Sequence, residues 1–180
     1  MEMYDRMNDV PKNETKSMID FLGKKWENYE CLGCAIDKGD VVLPGGKIYE
    51  GKHVILGSDP EIPIPGFLIV NSKRHVNSFS EFSREERYEV SNVVALAEKA
   101  LKELNITDEI TLVQEERSVH FHIWIFPHYS WMTEKYGKGI THLRAINQYA
   151  RENVDEDTIN KVMDTISKVR EYFEKHIDEL

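Results

Sequence analysis

The stretch Val119-His120-Phe121-His122-Ile123-Trp124-Ile125-Phe126-Pro127-His128 decides how the rest of the chain is read. Alternate residues of a strand share a face, so His120, His122 and Trp124 are predicted on one side. Phe121, Ile123 and Ile125 then point to the other. The second set is wholly apolar and suits a packed core. Two imidazoles side by side on one strand face are costly to bury unless a metal, a ligand or a proton transfer uses them. The alternative is a pair of surface histidines on an exposed face. The strength of the apolar set argues instead that the strand packs on a core and that its histidine face lines something specific.

Working outward, residues 47–50, 53–58, 66–72, 110–114 and 118–126 are short, rich in β-branched and aromatic residues, and read as strands. Pro60, Pro63 and Pro65 forbid regular structure between the second and third. Leu43-Pro44-Gly45-Gly46 reads as a turn. Ser83 and Glu86 make a capping box that opens a helix running to about Leu104, with Val90, Val93, Val94, Ala97 and Leu101 on its buried face. From about Asp157, the spacing of Ile159, Val162, Met163, Ile166, Val169, Tyr172, Phe173 and Ile177 predicts a long C-terminal helix. Met18, Phe21, Leu22 and Trp26 fall at helical spacing, which predicts a short helix over 14–26 behind a loose polar arm at 1–13. The fold class expected is α+β: an antiparallel sheet of about five to six strands with a long central helix and a C-terminal helix. The domain reading is an N-terminal arm and helix at 1–30, a main domain at 31–135, and a helical extension at 136–180 packing on that same domain.

The chain has 180 residues, enough for one domain with a real core. Its net charge of −9 is the wrong sign for a general nucleic-acid binder or a protein held on anionic lipid. No apolar run approaches the ~18 residues of a membrane span. The opening MEMYDRMNDVPKNETK lacks the apolar segment of a secretory signal. The two cysteines, Cys31 and Cys34, cannot staple a disulfide scaffold, and a cytoplasmic protein is expected. A lone CxxC admits three readings: half of a zinc site, a redox pair, or incidental reduced thiols. No βαβ pattern surrounds it, which disfavours the redox pair.

The histidine strand resembles the signature of the histidine triad (HIT) superfamily, His-φ-His-φ-His-φ-φ followed by Pro and a basic residue. It matches except at the third histidine, where Trp124 stands. The resemblance extends in order over about residues 31–128. Cys31-Leu32-Gly33-Cys34 is similar to the CxxC of zinc-bearing members, and Ile48-Tyr49-Glu50 to the usual first strand. Asp59, six residues before Pro65-Gly66, stands where members place an acidic residue on the nucleotide ribose. Residues 66–75 resemble the stretch that ends in Pro-Lys-x-His, with Phe67 in place of a histidine, and 79–86 resemble the entry to the long helix. Family members are nucleotide-binding hydrolases and transferases.

The resemblance implies that His122 is the nucleophile, attacking the α-phosphorus of a nucleotide to give a nucleotidyl-histidine. It implies a structural Zn²⁺ held by Cys31, Cys34, His75 and His120, a Cys2His2 set that suits a tetrahedral ion. It implies a homodimer. It also places Gln114 and Ser118 at the amide and hydroxyl contacts to phosphate, and His128 where a basic residue usually stands. His128 then either approaches the leaving group or is a surface residue. Tyr129, Trp131 and Met132 either line a pocket or pack as an ordinary loop. Trp124 can stack or donate one N–H but cannot act as an acid near neutral pH. Only Glu115, Glu116 and Arg117 separate Gln114 from Ser118, a shorter loop than family members carry, and it reads as a solvated hairpin turn. The function expected is a nucleotide-phosphate hydrolase, on dinucleoside polyphosphates, nucleoside phosphoramidates or nucleotide sugars. The alternatives are a nucleotidyltransferase of the same superfamily, or a nucleotide-binding protein whose catalysis is weakened by Trp124.

Overall fold

A computed structural model describes residues 15–180. The arm expected at 1–13 lies outside the described residues. The strand that carries His122, β7 (His122–Pro127), has a neighbour on both sides. The other strands are β1 (Lys16–Ile19), β2 (Lys25–Tyr29), β3 (Tyr49–Glu50), β4 (Val54–Ser58), β5 (Leu68–Ser72) and β6 (Ile110–Val113). The main sheet is five-stranded and antiparallel in the order β3-β4-β5-β7-β6. Its register sets Asn71 of β5 opposite His122, and Val113 of β6 opposite Trp124.

One sheet face is fully covered. Val54, Leu56, Leu68, Val70, Phe121, Ile123 and Ile125 meet two helices, α2 (Arg84–Glu103) and α5 (Glu156–Lys175). The helices contribute Val90, Val93, Ala97 and Leu101, and Val162, Ile166, Val169 and Phe173. The capping box at the start of α2 forms as its sequence dictates: Glu86 N–H donates to Ser83 Oγ at 3.2 Å, and Ser83 N–H to Glu86 Oε2 at 2.7 Å. Asp155 caps α5 through the Thr158 amide at 2.8 Å.

The opposite face is covered only in part. At one end lie β1, β2 and α1 (Leu32–Lys38), where Met18, Tyr29, Ala35, Ile36 and Leu43 pack on Ile55. At the other end lie α3 (Ser130–Tyr136) and α4 (Leu143–Glu152), where Met132, Leu143 and Ile146 pack on Phe67 and Phe126. The stretch of sheet between these two clusters carries His122 and Trp124. Among the described residues no helix is long and apolar enough to cross a membrane.

The segment expected as a helix at 14–26 is instead the β1–β2 hairpin. Its apolar spacing suits a helix, but the turn chemistry prevails. Asp20 Oδ1 accepts the Leu22 and Lys24 amides at 3.0 and 2.9 Å, and Oδ2 accepts Trp26 Nε1 at 2.9 Å. Gly23 adopts φ 83°, a left-handed conformation suited to glycine. Met18 is buried, whereas Ile19 and Leu22 face solvent. The strand expected over 118–126 begins only at His122, so His120 belongs to the loop that enters it. Helices α1, α3 and α4 are additions to the sequence expectation.

Candidate functional site

Cys31 is the N-cap of α1 and Cys34 lies in its first turn, so one turn of helix sets both thiols on the same side. His75 follows β5, and His120 precedes β7. The four side chains converge, their ligand atoms all lying within 4.8 Å of one another. Cys31 Sγ lies 3.2 Å from His120 Nδ1, Cys34 Sγ lies 3.2 Å from His75 Nδ1 and 3.6 Å from His120 Nδ1, and the two Nδ1 atoms are 3.3 Å apart. A tetrahedron with Zn–S of about 2.3 Å and Zn–N of about 2.0–2.1 Å has S···N edges near 3.6 Å and N···N edges near 3.3 Å, so the set fits zinc.

His120 is oriented from behind. Its Nε2–H donates to the Ser72 carbonyl at 2.6 Å, which turns the Nδ1 lone pair toward the thiols. Gly33 packs against that ring so closely that a Cβ there would sit 2.5 Å from His120 Cδ2. Burial works against ionisation of Cys31, yet its contacts with His120 and Cys34 outweigh it and hold the thiol down at about 6. Burial and the neighbouring Cys31 push the Cys34 thiol up to about 11.

His122 stands two residues beyond. Its Nδ1–H donates to the His120 carbonyl at 3.0 Å. This fixes the tautomer and leaves Nε2 as an unprotonated lone pair. Burial lowers the pKa of the ring, which favours the neutral form a nucleophile requires. Ser118 Oγ lies 2.9 Å from both the Glu115 and His120 carbonyls, so its single O–H is engaged by the backbone.

Two clefts meet at His122. The first, about 320 Å³, is walled by apolar side chains (Tyr29, Leu32, Ile36, Leu43, Ile55, Ile69) with Asp59, Ser58 and Asn71 as polar points. Asp59 is buried, and its Oδ1 accepts the Glu61 and Ile62 amides at 2.8 Å each. Burial outweighs those bonds and pushes its carboxyl up to about 6. The second cleft, about 480 Å³, is lined by Val113, Glu115, Arg117, Ile140, Leu143 and Arg144. His122, Trp124 and Ser118 border both. Trp124 packs edge-on against Phe67, ring centroids 5.4 Å apart.

The remaining residues singled out in the sequence lie elsewhere. Gln114 is at the surface, its Nε2 reaching the Asn77 carbonyl at 3.5 Å, and lines neither cleft. His128 is six residues along from His122, roughly 20 Å at strand rise. Its Nε2 pairs with Thr111 Oγ1 at 2.7 Å in a separate recess with Thr107 and Glu109. Tyr129 donates to the Pro65 carbonyl at 2.6 Å, and Met132 is buried in α3. Sequence reasoning missed Tyr29, Asn71 and Arg144. Asn71 is detectable as an amide directly following the apolar run Leu68-Ile69-Val70. Tyr29 and Arg144 carry no local signal.

No family profile matches the chain. The protein hit of Bacillus subtilis is 27% identical over 115 residues, 61% of this chain and 73% of that protein. Among solved structures, a hypothetical histidine triad nucleotide-binding protein from Sulfolobus tokodaii superposes with a TM-score of 0.59 at 18% identity, over 82% of this chain and 96% of its own. A Zn-bound histidine triad family protein from Mycobacterium smegmatis gives 0.54 at 17%, over 79% and 96%. A HIT family member from Bacillus subtilis gives 0.52 at 21%, over 77% and 96%. At these identities the likeness establishes the fold, and the fold is that of the histidine triad proteins.

Proposed function

Starting from the histidine triad fold, we propose that this protein belongs to that superfamily and is a nucleotide-phosphate hydrolase working through a nucleotidyl-His122 intermediate. The observation that carries the reading is the setting of His122: its Nδ1–H is held by the His120 carbonyl, burial lowers its pKa, and its ring stands where an apolar cleft meets one that carries charged side chains. In this reading the nucleoside enters the first cleft, where Asp59 Oδ2 takes a ribose hydroxyl while Oδ1 keeps its two amides. The α-phosphorus then lies over Nε2. The lone pair forms the N–P bond, and the bond from phosphorus to the leaving group breaks with its electron pair departing on that group. Water attacks the phosphorus next, the N–P bond breaks with its electron pair returning to Nε2, and a proton of that water passes to solvent, which releases the nucleotide and restores the neutral imidazole. Splitting one displacement into two is the gain of covalent catalysis.

A bound Zn²⁺ supplies a structural clamp, tying α1 and His75 to the loop that enters β7. Its four donors are Cys31, Cys34, His75 and His120. The neighbours named as nucleotide-binding and as Zn-bound agree with this reading. A second reading rests on Trp124: with no acid at the third position, the protein binds nucleotide and turns it over poorly.

One experiment separates the two. Wild-type protein is mixed with a panel of adenosine and guanosine polyphosphates, phosphoramidates and nucleotide sugars, quenched in milliseconds to minutes, and read by mass spectrometry. A nucleotidyl adduct on His122, lost together with turnover in His122→Asn, is the expected outcome. Binding without any adduct establishes the second reading, and neither binding nor adduct on any member sinks both.

A further inference from the structure

The second cleft carries a charge that the reaction as described has not used. Three ionisable side chains line it besides His122: Glu115, Arg117 and Arg144. Arg117 Nη2 pairs with Glu115 Oε1 at 3.0 Å, so these two largely cancel. Arg144 forms no ion pair among the described residues and presents an exposed guanidinium. Its backbone is nonetheless anchored, because the preceding residue, Leu143, is buried against Phe67 and Phe126. The result is a cleft with one unpaired positive charge, carried on α4, that borders His122 and does not include Asp59, in a chain of net charge −9.

Leaving-group chemistry supplies an independent argument. Trp124 borders the same cleft and cannot deliver a proton near neutral pH. A phosphate chain departs as an anion and needs no proton, whereas the amine of a phosphoramidate does. An arginine fork matches phosphate oxygens in shape and charge.

We propose that Arg144 binds the phosphate beyond the α-phosphate, so that the substrate class is nucleotides with a pyrophosphate linkage at the α-phosphorus, with nucleoside and dinucleoside polyphosphates as the probes and phosphoramidates excluded. This rests on the assignment of His122 above. In the step, the Nε2–P bond forms and the P–O bond to the β-phosphate breaks. The electron pair leaves on that β-phosphate oxygen, and its charge meets the guanidinium.

The test compares two substrates with the same nucleotide part and leaving groups that both depart unprotonated. One is the dinucleoside tetraphosphate, and the other is the p-nitrophenyl ester of the nucleoside monophosphate, which has no phosphate beyond α. Arg144→Ala should lower kcat/KM for the tetraphosphate about 10- to 100-fold and for the aryl ester by no more than about 3-fold. Arg144→Lys should restore part of the loss. Inorganic tripolyphosphate should inhibit wild type competitively and Arg144→Ala at least about 10-fold more weakly. Equal losses on both substrates, or no loss on the tetraphosphate, overturn the role of Arg144 while His122 stands. Wild type inert toward both substrates overturns the His122 assignment and this inference with it.

Discussion

His120 turns three different atoms toward three sets of partners. Nδ1 faces the thiols and His75, Nε2–H is held by the Ser72 carbonyl, and its own carbonyl accepts from His122. A residue with that many fixed directions leaves its neighbour little freedom, and His122 inherits its tautomer from the backbone of a residue in the Cys2His2 cluster. Asp59 is the other residue whose environment makes a measurable claim. Its carboxyl titrates near 6 in the fold, above the ordinary 3.8, because it is buried. The folded state therefore holds its proton more tightly than the unfolded state does. Stability is greatest below about pH 4 for this group and is lost as pH rises to about 6, by about 3 kcal/mol. Asp59→Asn keeps an oxygen for the Glu61 and Ile62 amides and removes the titration. Urea denaturation at pH 4 and pH 7 should show wild type losing ground relative to Asp59→Asn over that interval. Parallel curves would refute the raised value.

At the scale of elements, α1 is placed by Gly33 as much as by the cysteines. Alanine normally stabilises a helix position over glycine by about 0.4–1 kcal/mol. Here the added Cβ meets the His120 ring at 2.5 Å. Gly33→Ala should therefore cost about 1–3 kcal/mol and loosen zinc by about 10-fold or more, since it displaces a ligand. Elemental analysis should give about one zinc per chain in wild type and less in the variant, with a lower urea midpoint. A more stable variant at full zinc content would refute the packing argument. The convergence of Cys31, Cys34, His75 and His120 was legible from sequence because CxxC sets two side chains on one helical turn and the family resemblance supplied the other two. The hairpin at β1–β2 was not. Residues 18, 21, 22 and 26 satisfy a helical stripe equally well, and only the three hydrogen bonds of the Asp20 side chain decide against it. Arg144 was illegible for a different reason: one arginine on a helix flank has no pattern, and only α4 docking on Phe67 and Phe126 brings it to His122.

Over the whole molecule, α5 belongs to the main core and does not sit on it as an accessory. Ile166 is buried among residues of the sheet and α2. Ile166→Ala should cost about 2–5 kcal/mol in a denaturant titration. Ile177→Ala, half exposed beyond the end of α5, should change stability by no more than about 0.5 kcal/mol. Similar effects from the two would mean that the C-terminal helix is not part of the cooperative unit. The sheet, α2 and α5 could all be read from the sequence because each carries an unbroken apolar rhythm. Where the chain leaves that rhythm, between residues 128 and 155, only tertiary packing settles its course.

The indole that stands where a third histidine would gives the protein a native optical reporter. Trp124 borders both clefts, so a ligand seated in either one displaces water from the same chromophore. The other two tryptophans line neither cleft: Trp26 lies under Lys24 in the hairpin, and Trp131 stands against Tyr149. Intrinsic fluorescence thus follows occupancy of both halves of the site without any label. In the binding mode proposed above, a nucleoside and a bare phosphate chain would approach the ring from different clefts, and each should leave its own spectral change.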